Sequence, residues 1–205
     1  MKKKTILFIL IVIFLFLFFL IHYKTKNNGN NINKLIKNID EYILNISSYE
    51  AKIELTIESN KTINKYKLEQ LYYKPKLAKQ IVKEPLSLEN LTFIYDGQNI
   101  KVENTRIGLS KIYENYKYVN ENALWLSFFV ENYNASSKVS ETGHEIIIEN
   151  NKQYSEYNVK QILHIDKKQK IPKKMEIYDN NKKIRIYIKY NEIILNKLDK
   201  NKILE

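Results

Sequence analysis

From Tyr49 onward, apolar and polar residues alternate along the chain with a period of two. The odd-numbered residues from Ala51 to Ile57 are apolar, whereas the even-numbered residues from Lys52 to Glu58 are charged or carry a hydroxyl group. This alternation predicts a β-strand with one buried side and one solvent-facing side. Comparable segments follow, separated by residues typical of turns, and predict about ten antiparallel strands in all. The later strands are predicted at residues 63–73, 77–84, 91–95, 99–103, 107–113, 138–140, 144–149, 155–165, 173–178 and 182–194.

Two segments show a helical period instead. Apolar residues at intervals of three and four predict an amphipathic helix over residues 33–47. Its polar side mixes lysine with acidic residues, which favours packing on the sheet over lying on a membrane. Leu124, Phe128 and Phe129 share one helical face and predict a second helix from about residue 121 to 132. The order of elements predicts an α+β domain, in which helices cover the concave side of a strongly curved antiparallel sheet.

A long hydrophobic segment opens the chain. Every residue from Ile6 to Ile21 is Ile, Leu, Val or Phe, and a membrane-spanning helix needs about 20 apolar residues. Lysines precede the segment, and no small-residue cleavage site follows it, so the sequence predicts an uncleaved, single-pass signal anchor in the cytoplasmic membrane. We expect an anchor at residues 1–26, a polar tether at 27–31 and one domain at 32–205. The N-terminus would lie inside the cell and the domain outside the membrane.

Turn residues mark the stretch between the second and fifth predicted strands. Pro75 and Pro85 stand at the two ends of a predicted strand, because proline lacks the donor that a central strand position needs. Asp96-Gly97 predicts a two-residue hairpin turn, since this pair readily adopts positive φ angles. The residues that carry a family resemblance are these turns and a later hairpin: Lys74-Pro75, Glu84-Pro85, Tyr95-Asp96-Gly97, Asp166, Pro172 and Glu176-Ile177-Tyr178-Asp179.

In this order and spacing they resemble the clostridial germination lipoproteins (the GerS-type family), within the LolA/LolB-like lipoprotein-carrier fold. The resemblance spans roughly residues 48–197. It implies an open half-barrel and a non-catalytic role in spore germination, as the partner of a cell-wall amidase that prepares cortex peptidoglycan. It also implies a place in the cell or forespore envelope.

The chain departs from the family pattern in two ways. Ala78-Lys79 stand where the carriers have an aromatic–arginine pair, and the chain has no cysteine for a lipobox. The LolA/LolB-like fold also implies an alternative function, a carrier or sensor that binds a lipid on a concave apolar surface. A membrane-tethered body cannot shuttle between membranes, and Lys79 replaces the arginine with which soluble carriers latch their helix lid. Both points favour the amidase partner over the carrier.

The basic charge of the chain does not predict nucleic-acid binding. The formal net charge is +11, but five lysines flank the hydrophobic segment, and the others are interleaved with glutamates. Nucleic-acid modules concentrate positive charge in a stripe with prominent arginine, and the only arginines here are Arg106 and Arg185. A mildly basic surface leaves contact with an anionic wall polymer as a third hypothesis.

No residue set predicts catalysis. The chain has no cysteine, four glycines and three histidines, and no His pair has the spacing of a metal site. His144 and His164 are expected to be exposed strand residues rather than general bases. The sequence therefore predicts a protein that is not an enzyme and that has no cofactor and no metal site.

Aromatic residues are the more informative candidates for binding. The chain has sixteen tyrosines, eight phenylalanines and one tryptophan, and tyrosine offers a large contact area with a polar tip. Tyr113 and Tyr116 are among those expected at strand faces or strand ends, although core packing and β-propensity are the favoured explanation for any single tyrosine. The candidate contacts with a partner or ligand are Tyr72, Tyr73, Lys79, Trp125, Phe128 and Phe129.

Overall fold

The computed structural model describes residues 38–116, 126–133, 137–151 and 159–204. The chain divides into a unit that ends at Tyr42 and a larger unit from Ile43 to Glu205. The predicted anchor and tether lie outside the described residues. In the part of the chain that is described, no helix is long and apolar enough to cross a membrane.

The described residues contain eleven strands, three α-helical segments and two short 3-10 helices, Leu86–Leu88 and Thr105–Ile107. The helical segments are residues 38–44 (α1), Leu126–Asn132 (α2) and Asn201–Leu204 (α3). The strands are β1 Ser48–Glu58, β2 Ile63–Tyr73, β3 Leu77–Glu84, β4 Thr92–Tyr95, β5 Ile100–Asn104, β6 Leu109–Tyr113, β7 Lys138–Glu141, β8 Glu145–Asn150, β9 Lys160–Asp166, β10 Pro172–Tyr178 and β11 Ile184–Leu195.

All eleven strands belong to one antiparallel sheet that does not close. Their order is β6-β5-β4-β3-β2-β1-β11-β10-β9-β8-β7. The first and last strands pair at the centre, and β6 and β7 form the two edges. This confirms the predicted class, an open antiparallel sheet with few helices.

Alternation along β1 places its side chains on two different faces. Tyr49 and Ile53 are fully buried, and Tyr49 lies opposite Tyr72 of β2. We call this side the helix-covered face, because α2 contacts it. The Tyr72 hydroxyl donates to Glu131 Oε1 at 2.8 Å, and the Asn150 amide donates to the Asn132 carbonyl oxygen at 3.2 Å.

The opposite side, the charged face, carries ion pairs between neighbouring strands. Lysine Nζ and glutamate Oε atoms lie 2.8 to 3.0 Å apart in three of them. Exposed pairs of this kind contribute little stability, about 0–1 kcal/mol each, but they balance the lysine charge locally. The three pairs are Lys52–Glu192, Lys67–Glu84 and Lys83–Glu69.

The C-terminal segment covers an apolar part of the charged face. Leu198 and Ile203 are buried against Leu71 of β2 and Leu77 of β3, with Tyr73 packed beside them. The four-residue helix α3 is too short to show a helical period in the sequence, so no pattern predicts it.

The helix and turn boundaries differ in detail from the predictions. Helix α1 ends at residue 44 rather than 47, and Ile46 is buried although it follows the helix. Residues 121–125 of the second predicted helix lie outside the described residues. The strand predicted from residue 107 begins at Leu109, since residues 105–107 form a 3-10 turn that ends at Gly108 with φ +66°.

The hairpin between β4 and β5 is confirmed, but its two-residue turn is Gly97-Gln98 rather than Asp96-Gly97. The Asp96 N–H donates to the Asn99 carbonyl oxygen, and Gly97 has the positive φ of 104°. Asp96 serves the turn as an acceptor: its Oδ1 receives the N–H groups of Gln98 at 2.8 Å and Asn99 at 2.7 Å. These bonds, that of Asn99 first, lower the pKa of Asp96.

Two neighbouring residues at the end of α1 test whether this segment is packed as described. Ile43 is fully buried, whereas Leu44 is 57% exposed. We expect Ile43→Asp to lower the free energy of unfolding by at least about 3 kcal/mol, because it buries an uncompensated charge. Leu44→Asp should cost less than about 1 kcal/mol. Both variants place an acid in the last helical turn, so the difference between their denaturant midpoints reports burial. Equal midpoints would contradict the packing.

Candidate protein-binding edge of the sheet

Tyr72, the first residue predicted to contact a partner, belongs to the core. Its side chain is 2% exposed, and its ring stacks on Tyr49 with centroids 5.6 Å apart. Burial, and then the hydrogen bond to Glu131, raise the pKa of the Tyr72 hydroxyl. Tyr72 therefore joins the sheet to α2 in this conformation, and its role as a partner contact stays a prediction.

The other predicted contacts do not gather at one place. Tyr73 and Lys79 are half-buried on the charged face, where Lys79 lies opposite Leu71. Phe128 and Phe129 are buried in α2, and Trp125 lies outside the described residues. The placed residues are thus divided between the two faces of the sheet, and their role in binding stays a prediction.

His164, predicted to be exposed, is buried. Its Nδ1 lies 2.8 Å from Glu145 Oε2, and its Nε2 lies 3.9 Å from Glu176 Oε1. Glu176 accepts hydrogen bonds from the Tyr178 hydroxyl at 2.7 Å and from Lys174 Nζ at 3.0 Å. Although burial opposes the shift, these two bonds lower the pKa of Glu176. The prediction failed because periodicity does not show that acidic residues on adjacent strands enclose this ring.

We interpret the His164 cluster as structural. It pairs two carboxylates with a lysine and a histidine, and it holds no serine or threonine nucleophile within the bonds described above. Within the described ranges, no group of three or more acidic or histidine side chains is arranged to hold a metal ion.

The edge strand β6 differs from the rest of the sheet, because all five of its residues are exposed. Apolar side chains on it are left in solvent: Ile112 is 60% exposed and Tyr113 is 41% exposed. Ile107, just before the strand, is 72% exposed. Natural sheets normally protect an edge with charge, proline or a covering segment. An exposed apolar edge is therefore a candidate binding site.

The register of the sheet identifies which backbone groups of β6 face outward. The bond from the Asp96 N–H to the Asn99 carbonyl makes that pair hydrogen-bonded, and hydrogen-bonded pairs alternate along antiparallel strands. Asn99 therefore directs its backbone groups towards β4, whereas Ile100 and Val102 of β5 direct theirs towards β6. The pairs Ile100–Tyr113 and Val102–Lys111 thus form the hydrogen bonds between β5 and β6. The N–H and C=O groups of Ser110 and Ile112 therefore point away from the sheet.

Beside this edge lies an aromatic concavity of about 290 Å³. Cross-strand pairing places Ile100 and Tyr113 on the helix-covered face. The rings of Tyr113 and Tyr116 are tilted, with centroids 6.2 Å apart. The residues lining the concavity are Phe93, Ile100, Tyr113 and Tyr116.

The opposite edge is protected. In β7, Lys138, Ser140 and Glu141 are exposed, and Glu141 Oε2 lies 2.9 Å from Lys167 Nζ. Polar and charged side chains of this kind discourage the addition of a further strand. Of the two edges, β6 is the one suited to receive a partner.

A family model described as sporulation protein YdcC-like matches residues 2–203 of the chain. The chain belongs to this family. A comparison with curated proteins gives no significant match.

Solved structures resemble this YdcC-like chain at several levels of identity. The GerS lipoprotein, in complex with the CwlD amidase from Clostridioides difficile, is 27% identical; the match covers 78% of this chain and 93% of that one, with a TM-score of 0.50. An uncharacterized conserved protein from Thermus thermophilus is 10% identical over 87% of this chain and 93% of its own, with a TM-score of 0.52. The LolA superfamily protein NE2245 from Nitrosomonas europaea is 13% identical over 85% and 97%, with a TM-score of 0.45.

The sequence contains a partial signal for the β6 edge. The sequence predicts that Tyr113 and Tyr116 lie at strand faces or strand ends, but nothing in the local sequence shows that β6 is an edge strand. That property depends on the order of all eleven strands.

Removing one hydroxyl tests the structural role of Tyr72. Tyr72→Phe should lower the free energy of unfolding by about 1–3 kcal/mol, because the Glu131 carboxylate loses a partly buried donor. Tyr113→Phe removes a hydroxyl from a side chain that is 41% exposed and should change stability by less than about 0.5 kcal/mol. Urea unfolding of both variants measures the difference. An unchanged midpoint for Tyr72→Phe would show that this contact does not hold α2 on the sheet.

Proposed function

We propose that this protein is a non-catalytic, extracytoplasmic partner of a cell-wall amidase of the CwlD kind in a spore-forming bacterium. The observation that carries the proposal is the 27% identity, over most of both chains, to the GerS lipoprotein, whose solved structure is a complex with the CwlD amidase. Membership of a sporulation family supports a role in the same process.

The geometry of the described residues supports a binding role. The polar cluster around His164 is held by hydrogen bonds within the sheet, and the exposed apolar edge β6 offers an attachment site for another protein. Catalysis is then the task of the amidase. This protein would position that enzyme, or hold it in an active conformation, at the cortex peptidoglycan.

The lipid-carrier alternative receives less support from the helix-covered face. A carrier needs an apolar cavity of several hundred Å³. The concavity beside β6 on this face holds about 290 Å³, and the face also carries the buried amides Gln70, Gln80 and Gln161, to which an acyl chain offers no hydrogen-bond partner. Gln70 Nε2 already donates to Gln80 Oε1 at 3.0 Å.

Co-purification tests the amidase partnership. Full-length protein in mild detergent should retain the CwlD-type amidase of the same organism, through an interface on the order of 1,200–2,000 Å². Alone, it should release no fragments from purified cortex peptidoglycan. A tagged single-pass protein with an unrelated extracytoplasmic domain serves as the control bait. Saturable binding of a fatty acid or lipopeptide with no amidase retained would favour the carrier function.

We also propose that residues 1–26 remain in the mature protein as a membrane anchor, with the domain outside the cytoplasmic membrane. The basis is the uninterrupted apolar segment from Ile6 to Ile21. Mass spectrometry of the membrane fraction should recover the intact N-terminus. Leu15→Lys, which places a charge in the middle of the segment, should reduce membrane recovery. A mature form that begins near residue 24 would show cleavage instead.

A further inference from the structure

We infer that β6 binds the amidase by strand addition, and that one apolar side chain of the added strand occupies the concavity lined by Tyr113 and Tyr116. This inference rests on the proposed function, since it names the surface through which the amidase would be held. It concerns residues 107–116, which are not among the contacts predicted from the sequence.

The backbone of β6 specifies an extended polypeptide. The outward N–H and C=O groups of Ser110 and Ile112 form a row of alternating donors and acceptors, which a second strand matches without distortion. Five residues at about 3.4 Å each give an edge about 17 Å long, enough for one added strand. A lipid or a glycan chain has no comparable ladder of groups.

The side chains specify an added strand that is largely apolar. Leu109 and Tyr113 face the helix-covered side, and Ile112 faces the charged side, so both faces of a neighbouring strand would meet exposed apolar surface. The concavity of about 290 Å³ is large enough for one aliphatic or aromatic side chain. Backbone pairing supplies affinity in this mode, and the pocket supplies specificity.

The charge of β6 favours a different protein over a second copy of this chain. Lys111 is the central residue of the strand, so two copies paired antiparallel over the full strand would place their Lys111 side chains opposite each other. Like charges directly opposite destabilise a sheet pair. A carboxylate at that position of the amidase strand would pair with Lys111 instead. The Lys111 Nζ lies over the ring of Tyr113, 4.7 Å from its centroid, and Tyr113 lines the pocket.

Because the chain has no cysteine, a single introduced thiol reports contact at one position. Ile112→Cys places the thiol on the β6 edge, and Ser140→Cys places a matched thiol on the exposed β7 edge. Full-length protein in detergent is labelled with a maleimide, with and without saturating purified amidase whose own thiols are blocked beforehand. We expect the amidase to slow labelling of Ile112→Cys by roughly ten-fold or more, because the centre of an interface excludes solvent. Labelling of Ser140→Cys should be unchanged.

Affinity measurements provide a second readout. Ile112→Lys adds a charge to the edge, and Ser110→Pro removes an outward N–H that the sheet itself does not use. Each should weaken amidase binding by roughly ten-fold or more, as should Tyr116→Ala in the pocket. The corresponding β7 variants, Ser140→Lys and Glu141→Pro, should bind like the wild type, and all five should keep the wild-type melting temperature within a few degrees.

The outcomes separate this inference from the proposed function. If the wild type binds the amidase but the β6 thiol is not protected, the strand-addition site is wrong and the partnership stands. If the wild type does not bind the amidase, both fail. Protection of Ile112→Cys by a second copy, seen as a dimer in light scattering without amidase, would overturn the choice of partner.

Discussion

The structure depends on the pairing of β1 with β11, which joins the beginning of the domain to its end. The register runs from Tyr49–Leu195 to Ile57–Ile186. Asn196, in a left-handed conformation at φ +59°, closes the pair: its N–H donates to the Ser48 carbonyl at 2.8 Å, and its Oδ1 accepts the Ser47 N–H at 2.8 Å. Closing so long a loop costs chain entropy, and the fully buried Tyr49 and Ile188 offset part of that cost.

This central pairing also determines where the sheet has edges. Because the first and last strands meet in the middle, the unpaired edges β6 and β7 fall in the middle of the sequence. Edge residues are usually protected, and β7 follows that rule with Lys138 and Glu141. β6 carries a single charge, Lys111, and leaves Leu109, Ile112 and Tyr113 exposed beside it. The same topology that buries Tyr49 and Ile53 therefore creates one exposed apolar edge.

The sequence could predict the strands because one side of each is buried, which leaves a period of two. It could not show which adjacent residue of a pair such as Tyr72-Tyr73 faces the helix, since that depends on partners distant in the chain. The sequence therefore predicts a partner contact at Tyr72 without showing that its hydroxyl donates to Glu131 of α2. His164 was misjudged for the same reason, because its neighbours Glu145 and Glu176 lie on other strands. Short elements such as α3 are too brief to carry any pattern.

The charge on β6 is carried by one residue, Lys111. Elsewhere on the sheet, several lysines are matched by glutamates on a neighbouring strand, as in Lys67–Glu84 and Lys52–Glu192. Lys111 lies over the aromatic ring of Tyr113, its neighbour on the same edge, as Lys160 of β9 lies over the ring of Tyr178. Lys111 lies beside the outward backbone groups and the aromatic pocket, so it favours an added strand that is apolar apart from one acidic residue. The same lysine disfavours pairing with β6 of a second copy of this chain. Specificity at this edge thus depends on one lysine, whereas affinity depends on the backbone and the rings around it.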